Sequence, residues 1–585
     1  MILGLLILAP ILFSFVVFMT HLVTRNILVI LFVIFLSVIS VFNLISLSSV
    51  VEIALPHYFH NIFVFLDSVV LIFFLWQGIV KKHALVIALA LVQIILYCEV
   101  LFLVPTLESS DILVDNIASI MYLIINIVGG IIIIYALKYV ESENFSQIKK
   151  NGFIAILFLF LGVMNFIVSS NNIEIFFMLF ELTTLFSYVL IAYRGNAISV
   201  ENSLRALWMN QIGGVAILLA LILSISHYDT LYFDILIHNR DNLFLLPIVF
   251  LILAAFVKAA SIPFNKWLIG AMVAPTPVSA ILHSATMVKI APFLMLKLAP
   301  AMSGFVSISV TLIGTFVFFT ASLLALNKDC FKEILGLSTI ALLALMMALA
   351  AVGSEQAINA TVVLIVFHAI SKALLFLQAG ILEKNFHLKY VDDIDGLINH
   401  SPLTVFFIII GFASLTLPPF GAFIAKFMAI ESIAQEILKN PLYIFALIFI
   451  TLGSVFLTLL YFKVVTKLFA KNVDFQQEHT KLSNYYVIPS FLLLFLLIIG
   501  IYVTFKMELL SSIQIITPVI LIAVVPFLFA TLLFKKAHRV KEYNCGEKEE
   551  IKLGMYYFNV SPNYKKAISI VAIFGMLVLI VGVML

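Results

Sequence analysis

Long apolar runs separated by short polar interruptions fill the chain, and windows of about 19 to 20 residues resolve some eighteen of them. They fall near residues 2–20, 27–49, 62–79, 84–104, 116–138, 152–169, 172–193, 205–226, 244–262, 277–298, 303–326, 333–353, 358–382, 402–435, 442–466, 486–505, 514–534 and 567–584. The runs are continuous and lack the period-two alternation of outer-membrane strands. The pattern therefore predicts an all-α polytopic membrane protein of about eighteen transmembrane helices. The run at 402–435 is too long for one straight crossing and holds Pro418 and Pro419, which predicts a broken helix.

The interruptions alternate in sign. Odd-numbered connections carry Arg25, Lys81 and Lys82, Lys149 and Lys150, Arg194 and Arg205, Lys266, Lys328 and Lys332, Lys384 and Lys389, then Lys463, Lys467, Lys471 and Lys481, and finally Lys535, Lys536, Arg539 and Lys541. Even-numbered ones carry Glu52, Glu108, Asp111, Asp115, Glu174, Asp229, Asp234 and Glu355, with Arg240, Lys439 and Lys506 as exceptions. By the positive-inside rule the odd connections are cytoplasmic and both termini lie outside the cytoplasm. The N-terminus has no basic leader region or small-residue cleavage site and reads as a retained first helix.

Composition agrees: 64% of residues are hydrophobic and 11% charged, where a soluble domain carries about 25%. Cys98, Cys330 and Cys545 are too far apart for an iron–sulfur ligand set, so any electrons pass through another chain. No phosphate-cradling loop, nucleophile constellation or metal-ligand spacing is present, and nothing points to nucleic acid. Gly129–Gly130 and Gly213–Gly214 fit close helix packing.

The stretch Leu251 to Pro300 is apolar enough to cross a membrane twice, yet it holds Lys258, His283 and Lys289. Glu181, Lys372 and Lys426 stand equally deep in other runs. Glu181 and the four lysines, five charges facing lipid, would cost about 12 to 18 kcal/mol, so they must face the protein interior. Each taken alone fits a buried pair that holds two helices together. As a set they do not, because one carboxylate cannot neutralise four lysines, and surplus buried ammonium groups exchange protons as a relay requires. His368 and Lys372, spaced i, i+4, share a helix face. His283 and Lys289, six apart, address different neighbours. Asp67 and Glu99 read as end-of-helix or interfacial carboxylates. Pro263 interrupts the helix beside Lys258, and Pro418 and Pro419 interrupt the one before Lys426, a pattern that points to inverted repeats about a transport path.

Four segments carry a resemblance: KAASIPFNKWLIGAMVAPTPVSAILHSATMV, FELTTLFSYVLIAY, FHAISKALLFLQAGILE and PPFGAFIAKF. Together they resemble the antiporter-like subunit family shared by respiratory complex I, Mrp cation/proton antiporters and membrane-bound NiFe hydrogenases, over residues 116–505. The resemblance implies two inverted five-helix repeats, each with a broken helix, and a mid-membrane line of charged groups that moves protons or sodium ions. Matched motif by motif, Glu181 and Lys258 look like the glutamate–lysine pair of the first half. His283 or Lys289, with His368 and Lys372, look like the central relay, and Lys426 looks like the broken-helix lysine of the second half.

Phe427 follows Lys426 where complex I members often carry an acid, and Glu431 is the nearest one. The additional spans near the N-terminus, and about thirty residues between the spans ending near 534 and starting near 567, look more like the large antiporter-like subunit of an energy-converting hydrogenase than the largest complex I member with its long lateral helix. This implies N-terminal helices over 1–115, an antiporter-like core over 116–510 and C-terminal helices over 511–585. It also implies a prokaryotic cell membrane, hydrogenase or complex I-like partner subunits, and a NiFe centre and iron–sulfur clusters in those partners with no cofactor in this chain. An Mrp-type antiporter subunit or a complex I subunit is the alternative.

Overall fold

The computed structural model describes residues 2–47, 49–56, 58–103, 105–238, 245–469, 482–506 and 560–584. Among them, sixteen helical segments are long and apolar enough to cross a membrane. In chain order the helices are α1 (Ile2–Met19), α2 (Leu22–Ser46), α3 (Tyr58–Val80), α4 (Ala84–Phe102), α5 (Asn116–Glu141), α6 (Gln147–Ser169), α7 (Ile173–Ile191), α8 (Ala197–Tyr228) and α9 (Leu246–Lys258). Then follow α10 (Thr276–Ala301), α11 (Gly304–Leu326), α12 (Phe331–Val352), α13 (Glu355–Asn385), α14 (Pro402–Thr416), α15 (Gly421–Ile437), α16 (Tyr443–Leu468), α17 (Asn484–Lys506) and α18 (Pro562–Met584). Two three-residue strands, β1 (Val51–Ile53) and β2 (Ile112–Val114), pair antiparallel with Ile53 opposite Ile112. They join the chain before α3 to the chain after α4, so the α3–α4 hairpin is clasped at its root.

Two spans differ from the hydropathy pattern. The span near 244–262 is cut short: α9 is 13 residues long and ends at Lys258. Its stop is a Schellman turn, with the Ala260 amide donating to Val257 O and the Ser261 amide to Phe256 O, both at 3.0 Å, and Ala260 in the left-handed region at φ 52°. Pro263 stands beyond this stop. The span near 277–298 is not one regular helix, since a π-turn over Ile281–Ala285 and a 3-10 turn over Met287–Lys289 interrupt α10. Hydropathy windows see composition, and these irregular turns are as apolar as helix. The span near 514–534 and the basic connections at 471–481 and 535–541 lie outside the described residues. Around Pro418 and Pro419 the chain breaks as the pattern predicts, between α14 and α15.

Polar contacts sort the connections by parity, as helices alternating in direction require. Arg194 joins Glu143 at 3.3 Å and Glu383 at 3.4 Å, Lys384 joins Glu143 at 2.9 Å, and Arg25 joins Glu141 at 2.9 Å, linking odd-numbered connections at one end. At the other end Asp111 accepts from Asn172 Nδ2 at 3.0 Å and from the Leu55 amide at 2.9 Å, and Asn171 Nδ2 donates to Asp234 at 2.8 Å. The bundle thus has a basic end and an acidic end. The outermost helices, α1 to α4 and α16 to α18, keep large apolar side chains such as Phe15, Phe65, Ile95 and Phe574 exposed, the pattern of a surface whose solvent is lipid.

Candidate functional site

The seven ionisable groups singled out by the sequence all face inward. Glu181, Lys258, His283, Lys289, His368 and Lys372 are fully buried and Lys426 is 4% exposed. The helices that carry them pack on one another, α7 on α8, α8 on α9, α10 on α12 and α13, and α13 on α14 and α15.

In the first half, Lys258 sits on the last turn of α9, where the Schellman stop puts it at the mouth of the break. Its Nζ donates to Phe180 O and to Thr184 Oγ1, each at 3.2 Å, and stands 3.7 Å over the Phe180 ring. A carbonyl, a hydroxyl and a ring face stabilise a buried ammonium without fixing its charge. Glu181, one turn before Thr184 on α7, makes no contact ion pair with it; its Oε1 accepts from Gln93 Nε2 at 2.7 Å, and its Oε2 has no hydrogen-bond partner. Thr184 is therefore the polar group beside both. Gly214 makes this arrangement possible: a Cβ there would run into Glu181 Oε1 and Gln93 Nε2. The Gly213–Gly214 pair is a packing feature, as its sequence predicts, with the close approach made to the Glu181 carboxylate.

At the centre, the interrupted α10 presents two groups to α13. Lys289 Nζ lies 2.6 Å from His368 Nδ1, while the His283 ring packs on Phe376 with centroids 4.9 Å apart and both its nitrogens unpartnered. The two do address different neighbours. The i, i+4 spacing puts His368 and Lys372 on one face of α13, but the bonded partner of His368 is Lys289. Lys372 Nζ instead donates to Leu335 O at 3.0 Å and Ser338 Oγ at 2.5 Å on α12. His368 remains within electrostatic reach of Lys289, Lys372 and His283. π-turns of the kind that holds His283 are frequent at functional sites.

In the second half, Ser371 Oγ, next to Lys372, accepts from Ser414 Oγ at 2.6 Å. Ser414 lies on the last turn of α14, and Thr416 beyond it lines a cavity of about 360 Å³ together with Lys426, Thr451, Ser454 and Thr458. Ser371 and Ser414 thus bridge α13 and α14, and Thr416 shares the cavity of Lys426. Lys426 has no hydrogen-bond or ion-pair partner among the described residues, and Glu431 is held by Gln356 Nε2 at 2.6 Å.

Asp67 is a correction. It is 1% exposed, lies mid-way along α3 and has no hydrogen bond within 3.5 Å to either oxygen among the described residues, so it is no interfacial carboxylate, whereas Glu99 on α4 is exposed. Sequence reasoning also missed Gln93, Thr184, Ser338, Ser371 and Ser414. Single hydroxyls and amides in apolar runs carry little signal, although Thr184 and Ser371 each lie within four residues of a deep charge.

Residues 170–458 match the family model described as "NADH:quinone oxidoreductase/Mrp antiporter, TM". The Na(+)/H(+) antiporter subunit A1 of Staphylococcus haemolyticus (strain JCSC1435) is 30% identical over 347 residues, 56% of this chain and 43% of that protein. Its namesake in Staphylococcus aureus (strain JH9) is 28% identical over 425 residues, 67% of this chain and 52% of that protein. The chain thus spans about half the length of the curated relatives it matches. A chain in the structure of the membrane-bound sulfane sulfur reductase, an archaeal respiratory membrane complex, superposes with a TM-score of 0.62 at 20% identity, covering 77% of this chain and 95% of that one. At that identity the likeness shows the fold.

Proposed function

This multi-pass membrane chain belongs to the antiporter-like subunit family of Mrp and complex I-like assemblies, and from that premise we propose that it carries protons across the membrane along Glu181, Lys258, the cluster of His283, Lys289, His368 and Lys372, and Lys426. The observation that carries the reading is the 2.6 Å contact between Lys289 and His368. Two bases at that distance need a shared proton, so one accepts while the other donates, and either can pass it on. Amines and imidazoles bind protons rather than sodium ions, which favours the proton as the mobile species. The interrupted α9 and α14–α15 helices take corresponding positions in two inverted repeats on this reading.

The driving process is redox chemistry in partner subunits of a membrane-bound NiFe hydrogenase type, whose metal centres lie outside this chain. The extra α3–α4 pair is the feature that supports this context. The odd-numbered, basic end faces the cytoplasm of a prokaryotic cell. A second reading, an Mrp-type antiporter subunit without a redox partner, is supported by the curated relatives, which carry that name. Gentle solubilisation separates the two. Co-purification with iron–sulfur and hydrogenase chains supports the first, and sodium efflux driven by a proton gradient alone supports the second. Lys258→Ala tests the relay itself: translocation should stop while the complex still assembles, and normal translocation in that variant would overturn it.

A further inference from the structure

The α3–α4 hairpin places a second set of ionisable groups against the first half of the relay. His60 and Asp67 on α3 are seven residues apart, and so are Glu174 and Glu181 on α7, so each pair shares one helix face about 10 Å apart along its axis. On α4, Tyr97 and Gln93 are one turn apart and face the same groups. The outer rung joins His60 Nδ1 to Glu174 Oε2 at 3.5 Å and Tyr97 Oη to Glu174 Oε1 at 3.3 Å. The inner rung joins Gln93 Nε2 to Glu181 Oε1 at 2.7 Å. Asp67, two turns deeper than His60 on the same face of α3, is within electrostatic reach of Tyr97, Glu174 and Glu181.

Two features distinguish this ladder from a structural polar network. Buried carboxylates that serve packing are hydrogen-bonded, yet among the described residues neither oxygen of Asp67 nor the Oε2 of Glu181 has a hydrogen bond within 3.5 Å, and the Tyr97 hydroxyl is the donor that acts on Asp67. The outer rung also opens at the acidic end: the His60 side chain is 55% exposed, and with Glu174, Glu108 and Asp111 it lines a pocket of about 410 Å³.

We propose that α3, α4 and α7 form a proton port from the acidic end of the bundle to Glu181, by way of His60, Glu174, Tyr97 and Asp67. This port rests on the reading of Glu181 as a relay group. In one transfer the Tyr97 hydroxyl turns from Glu174 toward Asp67, Glu174 in its acid form gives a proton to the phenol oxygen, and the phenol's own proton passes to Asp67. Tyr97 ends unchanged, Glu174 is left as carboxylate and Asp67 as carboxylic acid. Asp67 then protonates Glu181, and His60 reprotonates Glu174 from the pocket.

The test uses the whole complex in sealed vesicles, with proton movement followed by a pH-sensitive dye and assembly checked by subunit content. Asp67→Asn, which keeps shape but holds no exchangeable acid proton, and Tyr97→Phe, which removes only the hydroxyl, should each slow translocation about 100-fold, and Asp67→Glu should restore much of it. Lys372→Met is the control for the relay. If Lys372→Met abolishes translocation while assembled Asp67→Asn and Tyr97→Phe run normally, the port is overturned and the relay stands. If Lys372→Met runs normally, the relay reading fails. Should Asp67→Asn not assemble, Tyr97→Phe decides, since its ring packing is unchanged.

Discussion

Lys289 Nζ and His368 Nδ1 meet at 2.6 Å across α10 and α13, deep in the bundle and with no carboxylate among the described residues within ion-pair distance of either. The α10 interruption creates this meeting, because the π-turn and 3-10 turn rotate Lys289 relative to His283 and point the two at different partners.

Lys289→Met should leave stability unchanged or raise it by about 1 kcal/mol, because replacing a buried ammonium by an apolar chain of similar length removes its desolvation cost. Translocation should nevertheless fall about 100-fold. Thermal unfolding in detergent and dye-monitored uptake in vesicles read the two effects separately, and a loss of both together would assign Lys289 a structural role.

Gly214→Ala should be far more damaging than an alanine in an apolar helix ordinarily is. The new Cβ meets Glu181 Oε1 and Gln93 Nε2, so α8 must back away or the Gln93–Glu181 hydrogen bond must break. A loss of about 1 to 3 kcal/mol is expected from overpacking, together with slowed translocation. Gly213→Ala, which meets the Phe180 ring instead, should cost stability with less effect on rate.

Ser338→Ala leaves the Lys372 ammonium with Leu335 O as its one bonded partner. A lost hydrogen bond to a charged group is worth about 1.5 to 3 kcal/mol. The charged state of Lys372 is then less favoured, so the pH at which translocation is half-maximal should move down. A pH–rate profile of the variant beside the parent checks this, and an unchanged profile would separate Ser338 from the relay.

Ala260→Gly should stabilise the protein. Ala260 holds φ 52°, where an L-residue pays about 1 to 2 kcal/mol that glycine does not, and part of that gain is lost to glycine's greater freedom when unfolded. A net rise of about 0.5 to 1 kcal/mol in unfolding measurements is expected, with Ala260→Val moving the other way.

Much of this was legible in the chain. Charges in apolar runs identify buried positions because lipid exposure is so costly, and Glu181, Lys258, Lys372 and Lys426 all proved interior for that reason. Prolines located the α14–α15 break. Less visible were the stops written in backbone rather than composition, the Schellman turn at Ala260 and the π-turn at His283, since both use residues as apolar as their neighbours. Pairings were also hidden. The spacing of His368 and Lys372 indicates a shared face, but only the packing of α10 against α13 shows that Lys289 is the closer partner. Asp67 illustrates the same limit, since its depth on α3 depends on where the helix begins, which is Tyr58 rather than near residue 62.

The clasp between β1 and β2 brings Ile53 and Ile112 side by side, so a chain leaving the first strand could enter the second through a tight turn and omit everything from 54 to 111. The α3–α4 hairpin is in that sense a cassette, insertable or removable without rerouting the rest of the polypeptide. A shortened version lacking it would retain the central lysines and histidines yet give up Gln93 and Asp67 together, leaving Glu181 to face lipid or a neighbouring subunit in their place.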